Sequence, residues 1–264
     1  MSKNHNLIKS IPSPEQDYFA GFAMRHPVLS ICNFYIPQHA WSVAIMIEDE
    51  KTGEDKLHCS ASLISDRQII TAAHCFFKTT GVRYNDSMFT LIFGVSDPTD
   101  QASIKKRNGK SKNVSEVHIN PLYNEKSAYY DVAIVEFSDG IKKFQENIWP
   151  ICLPNSPMTN INHLDDRSGS VVAYGPNMNN VPILSEIQLT VRSKNWCDVL
   201  YKVSPVHIQF TEIGKKLPDL FNNTSIFCAQ NEGTNFGTCK GDSGMYTYKY
   251  SSILHYCSFV CNIT

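Results

Sequence analysis

The sequence predicts an all-β protein of the barrel or sandwich kind, and three observations carry that expectation. Short runs rich in Val, Ile, Phe and Thr recur along the chain with polar, turn-forming segments between them, the spacing expected of strands in barrels and sandwiches. Nine cysteines occur with neither a Cys-x-x-Cys pair nor zinc-finger spacing, so they read as a disulfide framework. The length of 264 residues accommodates one large all-β domain or two small ones.

Each element follows from its local pattern. Residues 1–27 are polar and irregular, with Pro12, Pro14 and Pro27, and predict no regular structure. Residues 41–47 (Trp-Ser-Val-Ala-Ile-Met-Ile) alternate imperfectly but are dense in β-formers. Residues 61–64 and 68–71 flank a Ser65-Asp66 turn. Further strands are expected over 88–93, 114–119, 132–137, 170–174, 183–191 and 225–228. One helix is expected around residues 195–203. The polar stretch 150–167, with two prolines and several Asn and Asp, reads as the connector between two halves.

Composition excludes several functions. A net charge of −1 gives no electrostatic basis for binding nucleic acid or an anionic membrane. No apolar run reaches the length of a membrane span, about 18 residues. No metal-ligand motif or cofactor fingerprint is present, so none is expected. The cysteines predict an oxidising, extracellular setting. Sequons at Asn85, Asn113, Asn222, Asn223 and Asn262 agree with it and predict a glycoprotein. The first residues, Met-Ser-Lys-Asn-His-Asn-Leu-Ile-Lys-Ser, lack the apolar core of a signal peptide.

Three motifs carry chemistry. Cys239-Lys-Gly-Asp-Ser-Gly244 is a Gly-bracketed loop able to present the Ser243 hydroxyl while aiming the Gly241 and Ser243 amides at one point. Thr71-Ala-Ala-His-Cys75 places small residues before a His that must reach a fixed partner. Asp131 opens the apolar run Val-Ala-Ile-Val. Alone, the second and third read more naturally as structural: a packed His, and an Asp capping a turn.

Together, in the order His74, Asp131, Ser243, these motifs resemble the trypsin-like (chymotrypsin-fold) serine peptidase family from about Gln38 to Gly244. The resemblance implies two six-stranded antiparallel Greek-key barrels, with the second barrel incomplete. Residues 28–264 would form the peptidase domain: a first barrel over about 38–149, a connector over 150–167 and a partial second barrel over 168–264. It implies that Ser243 attacks the carbonyl, His74 acts as general base and then acid, and Asp131 holds the imidazole tautomer. Gly241 and Ser243 amides would form the oxyanion hole. Asp242 matches the acid that pairs with the new N-terminal ammonium after activation cleavage. Gly237 would lie at the base of the primary pocket, and an uncharged base there favours apolar side chains over Arg or Lys. Protein or peptide substrates and serine peptidase inhibitors are the implied partners.

Disulfides follow from the same resemblance. Cys59–Cys75 would tie down the His loop, Cys197–Cys228 would lie in the second barrel, and Cys32–Cys152 matches the bridge to a pro-segment. Among Cys239, Cys257 and Cys261 the pairing stays open, with one thiol left over. The chain also departs from the family. Residues aligned with the activation start read His-Pro-Val-Leu from His26 instead of Ile-Val-Gly-Gly. Met245-Tyr246 replaces Gly-Pro after the nucleophile loop, and residues 245–264 do not resemble the family's C-terminal region. An endopeptidase of impaired turnover is therefore expected, with a non-catalytic homologue serving as a binding or regulatory module as the alternative.

Overall fold

The computed structural model describes residues 39–106, 110–124, 130–151, 153, 166–176, 181–193, 195–196, 228–230 and 247–248. Ten strands run through them. They are β1 (Ser42–Glu48), β2 (Asp55–Leu63), β3 (Gln68–Thr71), β4 (Phe89–Phe93), β5 (Lys110–Ile119), β6 (Ala133–Phe137), β7 (Ser168–Pro176), β8 (Pro182–Arg192), β9 (Cys228–Gln230) and β10 (Thr247–Tyr248). A short helix, α1 (Gln101–Lys106), lies between β4 and β5.

Strands β1 to β6 close into a barrel in the order β1-β2-β3-β6-β5-β4. Every neighbouring pair is antiparallel, and β4 returns to pair with β1. The succession β4-β1-β2-β3 is the Greek-key order. Closure removes the open edges that would invite pairing with another chain. The remaining strands form a four-stranded sheet in the order β10-β7-β8-β9, also antiparallel throughout. The expected all-β, two-unit architecture is therefore present.

Side-chain alternation explains the barrel interior. In β6, Ala133, Val135 and Phe137 are buried while Ile134 and Glu136 are partly exposed. The inward set joins Val43, Ile45, Ile47, Leu63, Ile69, Leu91 and Phe93 in one core. Strand β1 is buried along nearly its whole length. Its Val43, Ile45 and Ile47 face the barrel interior. Ala44 and Met46 pack on the other side with Ile92, Val95, Ile104 and Tyr174. Burial on both faces is why its sequence alternates imperfectly.

The two units share contacts. Tyr174 of β7 is fully buried against the barrel. Its backbone N–H donates to Ser60 Oγ at 2.9 Å, and its hydroxyl donates to the Val95 carbonyl at 2.7 Å. Leu184 N–H donates to the Ser96 carbonyl at 2.7 Å. Trp41 packs both against the barrel core and against Val171, Val172 and Ala173 of β7. After the barrel, Trp149 N–H bonds to the Ala40 carbonyl and Ile151 N–H to the Leu63 carbonyl.

Several elements differ from the sequence expectation. Strands β2 and β5 begin six and four residues earlier than expected, at Asp55 and Lys110. The added end of β5 is polar and largely exposed, and that of β2 runs from exposed Asp55 and Lys56 through half-buried Leu57 and His58 to buried Cys59 and Ser60, so neither carries a clear apolar pattern. Helix α1 was not expected. Asp100 Oδ1 accepts from Ala102 N–H at 2.9 Å at its start, and Ile104 anchors it in the core. Strand β10 was not expected either; it pairs with Gly169 and Ser170 just downstream of Ser243. Asn195 and Trp196 are helical, and the rest of the helix expected over 195–203 lies outside the described residues. Strand β9 begins at Cys228, where the expected 225–228 strand would end.

Candidate active site

The site is built from two barrel strands that run side by side. Strand β3 pairs with β6 in the register Thr71↔Ala133, which brings the segment following β3 close to the segment preceding β6. The first segment holds His74 and the second holds Asp131.

On the β3 side, Thr71 Oγ1 donates to the Ser60 carbonyl at 2.7 Å and ties the strand end to β2. Ala72 and Ala73 are fully buried. Larger side chains there would overpack the core at a cost of about 1–3 kcal/mol, which accounts for the small residues before the His. The chain then makes a 3-10 turn over Ala73–Phe76. Cys75 within this turn is bonded to Cys59 of β2, with Cα atoms 6.2 Å apart. The expected Cys59–Cys75 bridge is thus present. His58 Nε2 also bonds to the Cys75 carbonyl at 2.7 Å. Covalent and hydrogen-bonded ties on both sides leave the His74 backbone little freedom.

On the β6 side, Tyr130 takes a left-handed conformation with φ 55°. Val132 N–H closes back onto the Tyr130 carbonyl at 2.7 Å, and Asn120 N–H donates to the Val132 carbonyl at 3.1 Å. This tight turn holds Asp131 between the two bonded residues. An L-residue at positive φ stores local strain, a feature concentrated at functional sites.

The two residues meet through two hydrogen bonds. His74 backbone N–H donates to Asp131 Oδ1 at 2.8 Å. His74 Nδ1 lies 2.6 Å from Asp131 Oδ2. The Asp131 side chain is 2% exposed, whereas that of His74 is 36% exposed. An ionised carboxylate only accepts, so Nδ1 carries the proton and Nε2 is the basic nitrogen. The arrangement is a His of fixed tautomer, oriented by a buried carboxylate and reachable from solvent.

Metal binding at this place is precluded by chemistry. Cys59, His74 and Cys75 offer donor atoms within 4.8 Å of one another. Both sulfurs are consumed by the disulfide, and only thiolates ligate.

Other sequence-identified residues fall elsewhere. Ser243, Gly241, Asp242 and Gly237 lie outside the described residues, as do Cys32, Cys152, Cys197, Cys239, Cys257 and Cys261. For Cys228 only its backbone place in β9, opposite Arg192, is described. The sequons Asn85 and Asn113 are both exposed, Asn85 beside a 3-10 turn and Asn113 in β5. Among the described residues no helix is long and apolar enough to cross a membrane.

Comparison with known proteins gives a consistent result. The trypsin family model matches residues 32–245. The chain is 27% identical to clotting factor C of Tachypleus tridentatus over 195 residues, covering 71% of this chain and 17% of that protein. It is 25% identical to the clotting factor G beta subunit of the same species over 208 residues, covering 78% of this chain and 61% of that one. It is 26% identical to a venom serine protease of Polistes dominula over 192 residues, covering 71% and 59%. The chain therefore spans less than two thirds of the length of each of these relatives.

Proposed function

The chain belongs to the trypsin family, and from that premise we propose that it is a serine-type endopeptidase in which Ser243, His74 and Asp131 act together. The observation that carries this reading is the double hydrogen bond from His74 to the buried Asp131 carboxylate. It supplies what a Ser hydroxyl needs, a base of fixed orientation and tautomer.

In the proposed reaction Ser243 Oγ attacks the scissile carbonyl and its proton passes to His74 Nε2. The Gly241 and Ser243 amides receive the developing oxyanion. Collapse of the tetrahedral species breaks the C–N bond, and His74 returns the proton to the leaving amine. Water then repeats the sequence on the acyl-enzyme and restores Ser243. Asp131 accepts from Nδ1–H and stabilises the imidazolium without taking the proton. An uncharged pocket at Gly237 would favour apolar side chains before the scissile bond. Asp242 would steady the nucleophile loop, and Met245, where the family carries Gly, would slow turnover. Protein or peptide substrates and serine peptidase inhibitors are the partners this reading requires. An extracellular, glycosylated setting is supported by the Cys59–Cys75 bridge and the exposed sequons at Asn85 and Asn113. Cys197–Cys228 and Cys32–Cys152 complete the proposed framework.

A fluorophosphonate probe on the folded full chain tests the assignment. Covalent labelling at Ser243 is expected, and Ser243→Ala and His74→Ala should both abolish it. A folded chain that takes up no label would instead support a non-catalytic binding module. Met245→Gly should then raise peptide turnover in the labelled enzyme.

A further inference from the structure

The outer face of the barrel carries a second chemical cluster, remote in role from the His74–Asp131 pair. Gln68 of β3 stands directly opposite Glu136 of β6, and Glu136 stands directly opposite Glu116 of β5. His118 lies two residues beyond Glu116 and so shares its face. The register therefore draws an amide, two carboxylates and an imidazole together from three strands.

Their distances do not match a hydrogen-bonded network. His118 Nδ1 lies 3.7 Å from Glu116 Oε1, and His118 Nε2 lies 3.8 Å from Glu136 Oε1. Both exceed hydrogen-bonding range. His118 Nε2 and Gln68 Oε1 are buried atoms with no hydrogen-bond partner among the described residues. Orphaned buried polar atoms of this kind call for an explanation. Gln68 does donate from Nε2 to Glu136 Oε1 at 3.0 Å, which holds that carboxylate in place. Glu116 and Glu136 are like charges directly across a strand pair, an arrangement that destabilises a sheet. Among the described residues, the only ionisable group of basic type near either is His118.

One ligand would resolve both the orphaned imidazole nitrogen and the facing glutamates. Donor atoms of Glu116, His118 and Glu136 lie within 4.8 Å of one another. Ligands bound at about 2.0–2.2 Å around a tetrahedral ion are about 3.4 Å apart, so side-chain shifts of up to about 1.4 Å would complete the set around one ring nitrogen. An imidazole among the donors disfavours calcium and magnesium, which take oxygen ligands. Imidazole with carboxylates suits zinc. We infer that Glu116, His118 and Glu136 form a zinc-binding site on the outer face of the barrel, with Gln68 orienting the Glu136 carboxylate. Bound zinc would give the buried imidazole nitrogen a partner and offset the repulsion between the glutamates. It would also pin β3, β5 and β6 together, and β3 and β6 are the strands that flank His74 and Asp131.

The test uses the full chain with its free thiols alkylated, so that zinc cannot bind cysteine. Zinc chloride is titrated while histidine ring resonances are followed in an isotope-labelled sample, with the His118 signals assigned from their loss in His118→Ala. The His118 ring should shift and saturate near one equivalent of zinc, and the thermal midpoint should rise. Calcium chloride should produce neither effect. Glu136→Gln and His118→Ala should each weaken zinc binding by roughly tenfold or more, since even loss of an outer-shell partner costs 10–100-fold. A His118 ring indifferent to zinc in the unsubstituted chain overturns the site, whatever the variants do. Undiminished zinc affinity in both folded variants would overturn it as well.

Discussion

Asp131 shows how much one side chain decides. Both of its oxygens accept from the same residue, His74, one from the backbone and one from the ring. An Asn at this position keeps the shape but offers an amide N–H toward Nδ1, which reverses the tautomer. Asp131→Asn should slow fluorophosphonate labelling by roughly ten-thousandfold, with the far-ultraviolet spectrum unchanged. A loss below about tenfold would mean that the imidazole is held by something else. His39 makes a different kind of prediction. It lies at φ 62°, 3.2 Å from Glu186 and edge-on to Trp41. Burial lowers its pKa below 6.5, with Glu186 partly opposing the shift. The unfolded chain therefore takes up a proton more readily than the folded one as pH falls through and below 6.5. The His39 contribution is complete above that value and is lost on acidification through the lowered native pKa. His39→Asn tolerates the left-handed backbone and should flatten the fall in thermal midpoint between neutral pH and about pH 5. An identical slope in the variant would remove His39 from the account.

At the scale of elements, strands are joined by turns whose geometry admits few residues. Gly94, at the exit from β4, has φ 74°. A Cβ built there would lie 2.6 Å from Asn147 Nδ2 and 2.8 Å from Ile148 Cγ1. Asn147 Nδ2 donates to the Gly94 carbonyl at 2.8 Å, locking the strand exit to the segment after the barrel. Gly94→Ala combines backbone strain with a steric clash and should destabilise the chain by more than about 1 kcal/mol in denaturant unfolding. A neutral result would show that the segment around Asn147 yields freely. Hairpin β1–β2 is set by local bonding of another kind. Asp49 accepts from the backbone N–H groups of Lys51 and Thr52 and from Lys56 Nζ. With the Lys56 bond as the largest cause, its carboxyl is held down to about 2. A charge held so low keeps this exposed turn intact through mild acid.

For the molecule as a whole, Tyr174 is the joint. It comes from the second sheet, is fully buried against the barrel, and bonds through its hydroxyl to the Val95 carbonyl. Tyr174→Phe keeps the ring but strips that carbonyl of its donor, at a cost of about 1–3 kcal/mol. Burial also pushes the phenol pKa upward. Its folded-state protonation is then stabilising below the ordinary value near 10 and is lost as pH rises beyond it. Tyr174→Phe should accordingly lower the unfolding free energy near neutral pH and reduce its decline in alkali. If the variant is as stable as the parent, the Val95 carbonyl has found another donor and the joint is held by packing alone.

The sequence by itself determined the fold class, because strand-length apolar runs and turn residues are local signals. It also determined the candidate chemistry, because the residues around His74, Asp131 and Ser243 are contiguous motifs in a fixed order. It identified Cys59 and Cys75 as a pair through the same resemblance. Tertiary structure decided what depends on partners distant in the chain. Strand β1 has buried residues on both faces because the second sheet covers it, which no periodicity within β1 could announce. The polar starts of β2 and β5, and all of β10, are strands through pairing, not through apolar pattern. Glu116, His118, Glu136 and Gln68 stand in three separate strand-forming runs, and nothing in any one run singles them out. Their cluster exists only because β3, β6 and β5 lie side by side in one register, and cross-strand register is set by closure of the barrel.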